Sequence, residues 1–217
     1  MLQLYGHPFS SYTWKALIPL YANDTPFEFR SVDPGEGADN GAFVAKAHPA
    51  GKFPVLVDGE TQVVEATAIV EYLAVHHPGS APLIPTDPAE AVTARMMDRV
   101  FDNYVMNTAT RVVLAYIAGN GTPDQAEVES AKDALRRAYR WIEDWLGRHE
   151  LPPHVSLVTC AAAPSLFYAD WIERIPGDHS RLNRLRAELL ALPAVSRCVE
   201  DARPFRHYFP PGAPDRD

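Results

Sequence analysis

Few residues in this chain are placed to do chemistry. Ser10 and Ser11 fall between an apolar run, Leu2 to Tyr5, and the helical pattern that follows it. A hydroxyl at a helix start sits beside unpaired N–H groups and the positive end of the helix dipole, so it favours a nearby anion. A thiol held there ionises more readily. A serine hydroxyl promotes that ionisation by donating a hydrogen bond to the thiolate. Lowering a thiol pKa by about two units takes roughly 2.7 kcal/mol of preferential thiolate stabilisation. A hydrogen bond to a charged acceptor, about 1.5–3 kcal/mol, plus a dipole contribution supplies that. The plain alternative is that Ser10 and Ser11 only cap the helix, a common use of serine. Glu65 has two similar readings at a later helix start: a carboxylate facing a cationic group, or a first-turn acid favoured by the dipole. Pro54 opens a strand and is either a strand-edge proline or a cis proline that turns the Phe53 backbone outward.

Composition narrows the classes. A chain of 217 residues makes one large domain or two small ones. A formal charge of −8 argues against a nucleic-acid or anionic-membrane surface, since both need clustered Lys and Arg. Two cysteines, Cys160 and Cys198, make no disulfide framework, so a reducing compartment and a cytoplasmic location are expected. The stretch MLQLYGHPFSS lacks the basic and apolar parts of a secretory signal. No apolar run reaches the roughly 18 residues of a membrane span. His76-His77 lack Cys or carboxylate neighbours at zinc spacing, so no metal is expected. There is no CxxC, and no phosphate loop or dinucleotide fingerprint. Cys160 lies on an apolar helix and reads as a packing residue.

The elements follow from pattern. Leu2 to Tyr5 is a strand. A helix from Ser10 or Ser11 to about Ala22 presents Trp14, Leu17, Ile18 and Tyr21, with Pro19 expected to kink or shorten it. Phe27 to Val32 is a second strand, Asp33 to Asn40 a polar loop, and Ala42 to Ala47 a short helix. Phe53 to Val57, the Asp58-Gly59 turn and Thr61 to Val64 make a hairpin. A helix from Glu65 carries Ile69, Val70 and Leu73 on one face. Prolines 82, 85 and 88 mark a linker over residues 78–88. Asp87-Pro88-Ala89-Glu90 then starts a helix that runs to about Ala118. Thr122-Pro123-Asp124-Gln125 repeats that start signal and begins another, with an apolar stripe from Val128 to Trp145. Ser156 caps a helix apolar on all sides, expected at the centre of a bundle. Helices over 182–192 and 194–201 precede a Pro-rich tail, 203–217, expected to lie extended. The fold class is thus α/β plus all-α: a compact unit over 1–77, similar to the thioredoxin fold, then an all-helical domain over 89–217.

Lys52-Phe53-Pro54-Val55-Leu56 followed by Glu65-Ala66-Thr67-Ala68-Ile69-Val70-Glu71-Tyr72-Leu73 resembles the glutathione-binding half of the cytosolic glutathione transferases. His7 to Lys15 resembles the strand-to-helix segment of their serine-using, theta- and zeta-like members, and Ala161 to Trp171 is similar to bacterial members. The resemblance covers nearly the whole chain. It implies a cis Pro54, with the Phe53 backbone holding the cysteinyl part of glutathione, Glu65 holding the γ-glutamyl ammonium and Lys52 reaching the glycyl carboxylate. It implies Ser10 as thiol activator, with Ser11 and Tyr12 as fallbacks. It further implies a homodimer, and an electrophile pocket walled by Tyr12, Met97, Phe101 and Tyr104. Two positions depart from the family pattern. Ala66 stands where a hydroxyl residue commonly binds the glutamyl carboxylate, with Thr67 the candidate substitute. Thr159 stands where an Asp completes a helix-capping box with Ser156.

The activity implied is attack of the glutathione thiolate on a small hydrophobic electrophile. A glutathione-dependent isomerase or dehalogenase on the same fold is an alternative. A non-catalytic glutathione or hydrophobic-ligand binding protein is another, favoured by Ala66.

Overall fold

The computed structural model of the protein describes residues 1–35 and 38–217. Glu36 and Gly37, within the loop expected at 33–40, lie outside the described residues. The chain opens with β1 (Leu2–Gly6), α1 (Ser11–Ala22), β2 (Phe27–Ser31), α2 (Ala38–Ala47), β3 (Val55–Asp58), β4 (Thr61–Val64) and α3 (Ala66–His76). The sheet order is β2-β1-β3-β4, with β1 parallel to β2 and the other two pairs antiparallel. The β1–α1–β2 crossover supplies the parallel pair, and the Asp58–Gly59 turn supplies the hairpin, with Gly59 at φ +59. α2 begins at Ala38, so the expected loop is shorter and the expected short helix longer. Pro19 does not shorten α1, which runs on to Ala22; lacking an N–H, it makes no bond to the Lys15 carbonyl.

The helical part comprises α4 (Pro88–Val100), α5 (Asn107–Ala118), α6 (Gln125–Leu146), α7 (Leu157–Ile172), α8 (Ser180–Ala191) and α9 (Pro193–Ala202). Asp87 caps α4 as the sequence predicts, accepting two N–H bonds from the first turn, whereas α6 starts two residues later than the Thr122-Pro123 signal implies, with Asp124 as its cap accepting the Ala126 N–H. One helix was expected from 88 to 118. Instead a π-helical turn, Phe101–Met106, joins α4 to α5. Every residue of α7 from Leu157 to Asp170 is buried. Its capping box is complete. The Thr159 N–H donates to Ser156 Oγ at 3.4 Å, and the Ser156 N–H donates to Thr159 Oγ1 at 3.1 Å. The tail is not simply extended: Arg203–Tyr208 forms a 3-10 turn and Phe209 is buried. No helix among the described residues is long and apolar enough to cross a membrane.

The two parts share one core. It runs from Leu2 and Leu4 through Trp14 and Leu17 to Phe101, Phe167 and Val195. α1 is the common element, packing on α3, α7 and α9. Its residues from Thr13 to Leu20 are all buried, including Lys15. Lys15 is 1% exposed. Its ammonium lies 2.5 Å from Asp98 and 2.7 Å from Asp102 and donates to Thr67 Oγ1 at 2.8 Å. Arg99 closes the cluster, pairing with Asp98 and, at 2.8 Å, with Asp102. Burial pushes the Asp102 carboxyl up, and Lys15 opposes that shift. Buried ions need partners, and removing one leaves the others unpaired, at a cost of about 3–5 kcal/mol. Lys15→Met should therefore destabilise the fold by about that amount. Urea unfolding measures it, and a loss under about 1 kcal/mol would show that the cluster holds nothing together.

Candidate functional site

The loop from Gly6 to Ser10 is fixed before α1 begins. His7 accepts the Phe9 N–H at Nδ1, 3.1 Å, which places its proton on Nε2, 3.1 Å from Asp33 Oδ2. The Trp14 indole N–H donates to the Pro8 carbonyl, and the Tyr168 hydroxyl donates to the Phe9 carbonyl. Ser10 is the N-cap of α1, and its Oγ accepts the Thr13 N–H at 3.3 Å. Capping uses the oxygen as acceptor and leaves the hydroxyl proton available for donation. The two readings of Ser10 are therefore compatible.

A polar cleft of about 240 Å³ lies beside this loop. Tyr12, His48, Lys52, Phe53, Pro54, Glu65, Ala66, Arg99, Asp102, Asn103 and Asn107 line it. The Phe53–Pro54 peptide is cis, as the resemblance implies. Glu65 stands at φ +71, ψ 118, outside the regions an L-residue favours, and caps nothing with its side chain. Its carboxylate is exposed at the cleft and accepts from buried His48 Nε2 at 3.4 Å. The Ala50 N–H occupies His48 Nδ1 and so leaves the proton on Nε2. Tyr12 donates to Asn107 Oδ1 at 2.8 Å, and burial, followed by Asp102, pushes its phenol up, so it stays neutral. The Thr67 hydroxyl is engaged with Lys15 and Asp98, not turned to the cleft. Sequence reasoning missed Arg99, Asp102, Asn103 and Asn107 here. The π turn, frequent at functional sites, brings Asp102 and Asn103 to the cleft.

A second cavity, about 510 Å³ and mostly apolar, adjoins the first at Phe53. Its walls are His7, Phe9, Ser10, Val32, Pro34, Phe53 and Tyr208. The pocket expected from Met97, Phe101 and Tyr104 is not beside Ser10. Met97 and Phe101 are 0% exposed, packed in the core. Tyr104 is exposed on another face, over a groove shared with Thr108 and Trp141. Tyr12 lies in the polar cleft instead. The tail reaches the apolar cavity through Tyr208. Tyr208 donates to Asp33 Oδ2 at 3.4 Å, and Phe205 meets the His7 ring edge-on at 4.8 Å. Ser11 is half-buried and lines neither cavity. Both cysteines are buried, and burial pushes their thiols up. His76 packs on Tyr72 and His77 on Asp58, and no group of three metal-ligating side chains occurs among the described residues.

Residues 4–81 match the model for the glutathione S-transferase N-terminal domain. A probable maleylacetoacetate isomerase of Vibrio cholerae is 26% identical over 94% of this chain and 97% of its own length. Residues 4–81 therefore carry a glutathione S-transferase N-terminal domain. Glutathione S-transferase 1 of Dianthus caryophyllus is 26% identical over 76% of each chain. Among solved structures, glutathione transferase F2 of Populus trichocarpa covers 94% of this chain and all of its own, with a TM-score of 0.81 and 19% identity. A glutathione S-transferase of Methylobacillus flagellatus with glutathione bound gives 0.78 at 22% identity, over 91% and 98%. These neighbours share the fold: a thioredoxin-like domain followed by a helical one.

The Asp33 carboxyl is held below its ordinary range, first by the Gly35 N–H and then by His7. A lowered folded-state pKa contributes stability in full above the unfolded value, about 3.9, and loses it as pH falls through the folded value. Asp33→Asn should thus cost stability at pH 7, and the gap to wild type should close on acidification below about pH 4. Urea unfolding at several pH values tests this; a gap that widens on acidification would refute it.

Proposed function

We propose that this transferase catalyses attack of the glutathione thiolate on small hydrophobic electrophiles, with residues 1–77 holding glutathione. The observation that carries this reading is the junction of two unlike cavities. The polar cleft offers charges and the outward backbone of Phe53, whose N–H and C=O have no protein partner among the described residues. The apolar cavity begins on the other side of the same residue, and Ser10 stands in its wall. Glutathione laid along the cleft, with Glu65 at its ammonium and Lys52 at its glycyl carboxylate, brings its thiol to that junction. Ser10 then donates its free proton to the thiolate, supported by the α1 N-terminus.

Ser10→Ala should raise the pKa of bound glutathione toward its solution value and lower conjugation at pH 7 far more than affinity. Part of the shift should survive, because the helix end remains. Thiolate absorbance against pH reads this directly; an unchanged midpoint in the variant would reduce Ser10 to a cap. A wild type with no depressed midpoint would favour the non-catalytic binding protein that Ala66 allows. In the same assays Val32→Trp should lower turnover with bulky electrophiles several-fold, while Tyr104→Ala should leave it unchanged. The reverse pattern would restore the wall expected from the sequence.

A second reading is glutathione-dependent isomerisation, supported by the probable maleylacetoacetate isomerases of Vibrio cholerae and Caenorhabditis elegans, matched over 94% and 93% of this chain. Turnover of maleylacetoacetate that depends on both glutathione and Ser10 would establish it.

We also propose a cytoplasmic homodimer. Val75 on α3 and Val92 and Met96 on α4 are exposed, on the two helices that the Glu71–Arg95 bridge joins. Such an apolar patch favours a self-complementary contact. Sedimentation showing only monomer at micromolar concentration would exclude it.

A further inference from the structure

We infer that Arg99, and not the start of α3, binds the α-carboxylate at the γ-glutamyl end of the ligand; this rests on the glutathione reading. The usual donor is missing from α3. Ala66 presents a buried methyl group. Thr67 cannot replace it, because its hydroxyl receives the Lys15 ammonium at 2.8 Å and donates to Asp98 at 3.2 Å. The side chains at the helix start therefore offer the cleft an acceptor, Glu65, and no free donor.

Arg99 stands on the same cleft wall, half exposed. Its Nε and Nη2 bond within the protein, to Asp98, Asp102 and Thr67. Its Nη1 has no protein partner among the described residues. The guanidinium is thus fixed in plane by three neighbours before any ligand arrives, so little ordering remains to be done on binding. The contact with Thr67 sets this cation two residues beyond Glu65. The ligand's amino-acid end carries an ammonium and a carboxylate on one carbon and needs a carboxylate and a cation at that short separation. Glu65 and Arg99 provide the pair. Asp102 is neutralised by Lys15 and Arg99 at 2.7 and 2.8 Å and does not repel the incoming carboxylate as a bare charge would.

The competing donors are the backbone N–H groups at the N-terminus of α3, which any helix start leaves unpaired. A thermodynamic cycle separates the two. Calorimetry is run on wild type, Arg99→Ala and Arg99→Lys, with glutathione and with 4-aminobutyryl-cysteinyl-glycine, which lacks only the α-carboxylate. Wild type should bind glutathione about ten- to a hundredfold more tightly than the analogue. Arg99→Ala should bind the two within about twofold of each other, and Arg99→Lys, which keeps a cation in the cluster, should keep wild-type affinity for the analogue, which shows that the cleft has survived. Arg99→Lys should recover part of the difference, since a point charge replaces a planar fork. If Arg99→Ala still prefers glutathione by the wild-type factor, the backbone binds the carboxylate and the inference fails while the glutathione reading stands. If wild type binds glutathione and the analogue equally, no group reads the carboxylate and the inference again fails alone. If wild type binds neither, the glutathione reading fails and takes the inference with it.

Discussion

One buried ammonium organises the site. Lys15 lies a little over one turn into α1, past Ser10 at its cap and Tyr12 in the cleft wall. Its two hydrogen bonds and one ion pair reach α3 through Thr67, the π turn through Asp102 and α4 through Asp98. Those segments also carry Glu65 and Ala66, Arg99, and Asp102 and Asn103, which line the cleft. Four charges of zero net sum, Lys15 and Arg99 against Asp98 and Asp102, therefore set the distances between the walls. A buried ion cluster is not an economical source of stability, since well-packed apolar side chains often do as well. It does differ from them in direction. Apolar contacts tolerate sliding, whereas an ammonium with three oxygen partners defines where each one lies. For a cleft assembled from two domains, that directional constraint is what keeps its walls in register.

The second constraint is the sharing of single groups between folding and chemistry. Ser10 ends the α1 N-terminus by accepting the Thr13 N–H, and that bond polarises the hydroxyl for donation in the opposite direction. His7 is used at both ring nitrogens, for the Phe9 N–H and for Asp33, and so fixes the loop that presents Ser10. Asp33 in turn accepts from Tyr208, which brings the tail across the apolar cavity. The chain from Gly35 through Asp33 and His7 to Phe9 thus aligns the wall of the second cavity with the cap of the first helix.

Local and repeated features of this arrangement were legible in the sequence. The hairpin turn at Asp58–Gly59, the Asp87 cap and the long apolar stripe of α6 each depend on residues a few positions apart. So does the grouping of Lys52, Phe53, Pro54, Glu65 and Ala66 in one cleft, which the hairpin and its following helix bring together. The apolar cavity beside Ser10 was not legible. Met97 and Phe101 have the composition of pocket residues, but periodicity does not say whether an apolar face meets a cavity or a core. The wall of that cavity joins residues far apart in the chain, as in the contact of Asp33 with Tyr208, 175 positions apart. Asp98, Arg99 and Asp102 read as an ordinary solvated helix face, because only the buried Lys15 opposite turns them into a cluster. A π turn leaves no hydrophobic period of its own, so its rotation of Asp102 toward the cleft was invisible.

The two departures from the family pattern end differently, and the reason is distance. Thr159 replaces an Asp within a box whose partner, Ser156, is three residues away on the same turn. Any short side chain with an acceptor oxygen reaches the Ser156 N–H there, so the hydroxyl restores both bonds and only charge assistance is lost. The expected weakening is confined to the difference between a neutral and a charged acceptor in a cap worth about 0.5–2 kcal/mol in all. Ala66 is not repaired by its neighbour in the same way. Successive positions on a helix point about 100° apart, so Thr67 faces Lys15 and Asp98 rather than the ligand. A side-chain contact to replace the one missing at Ala66 has to come from another element, and Arg99, which the Lys15 cluster has drawn to the opposite wall, is placed for it.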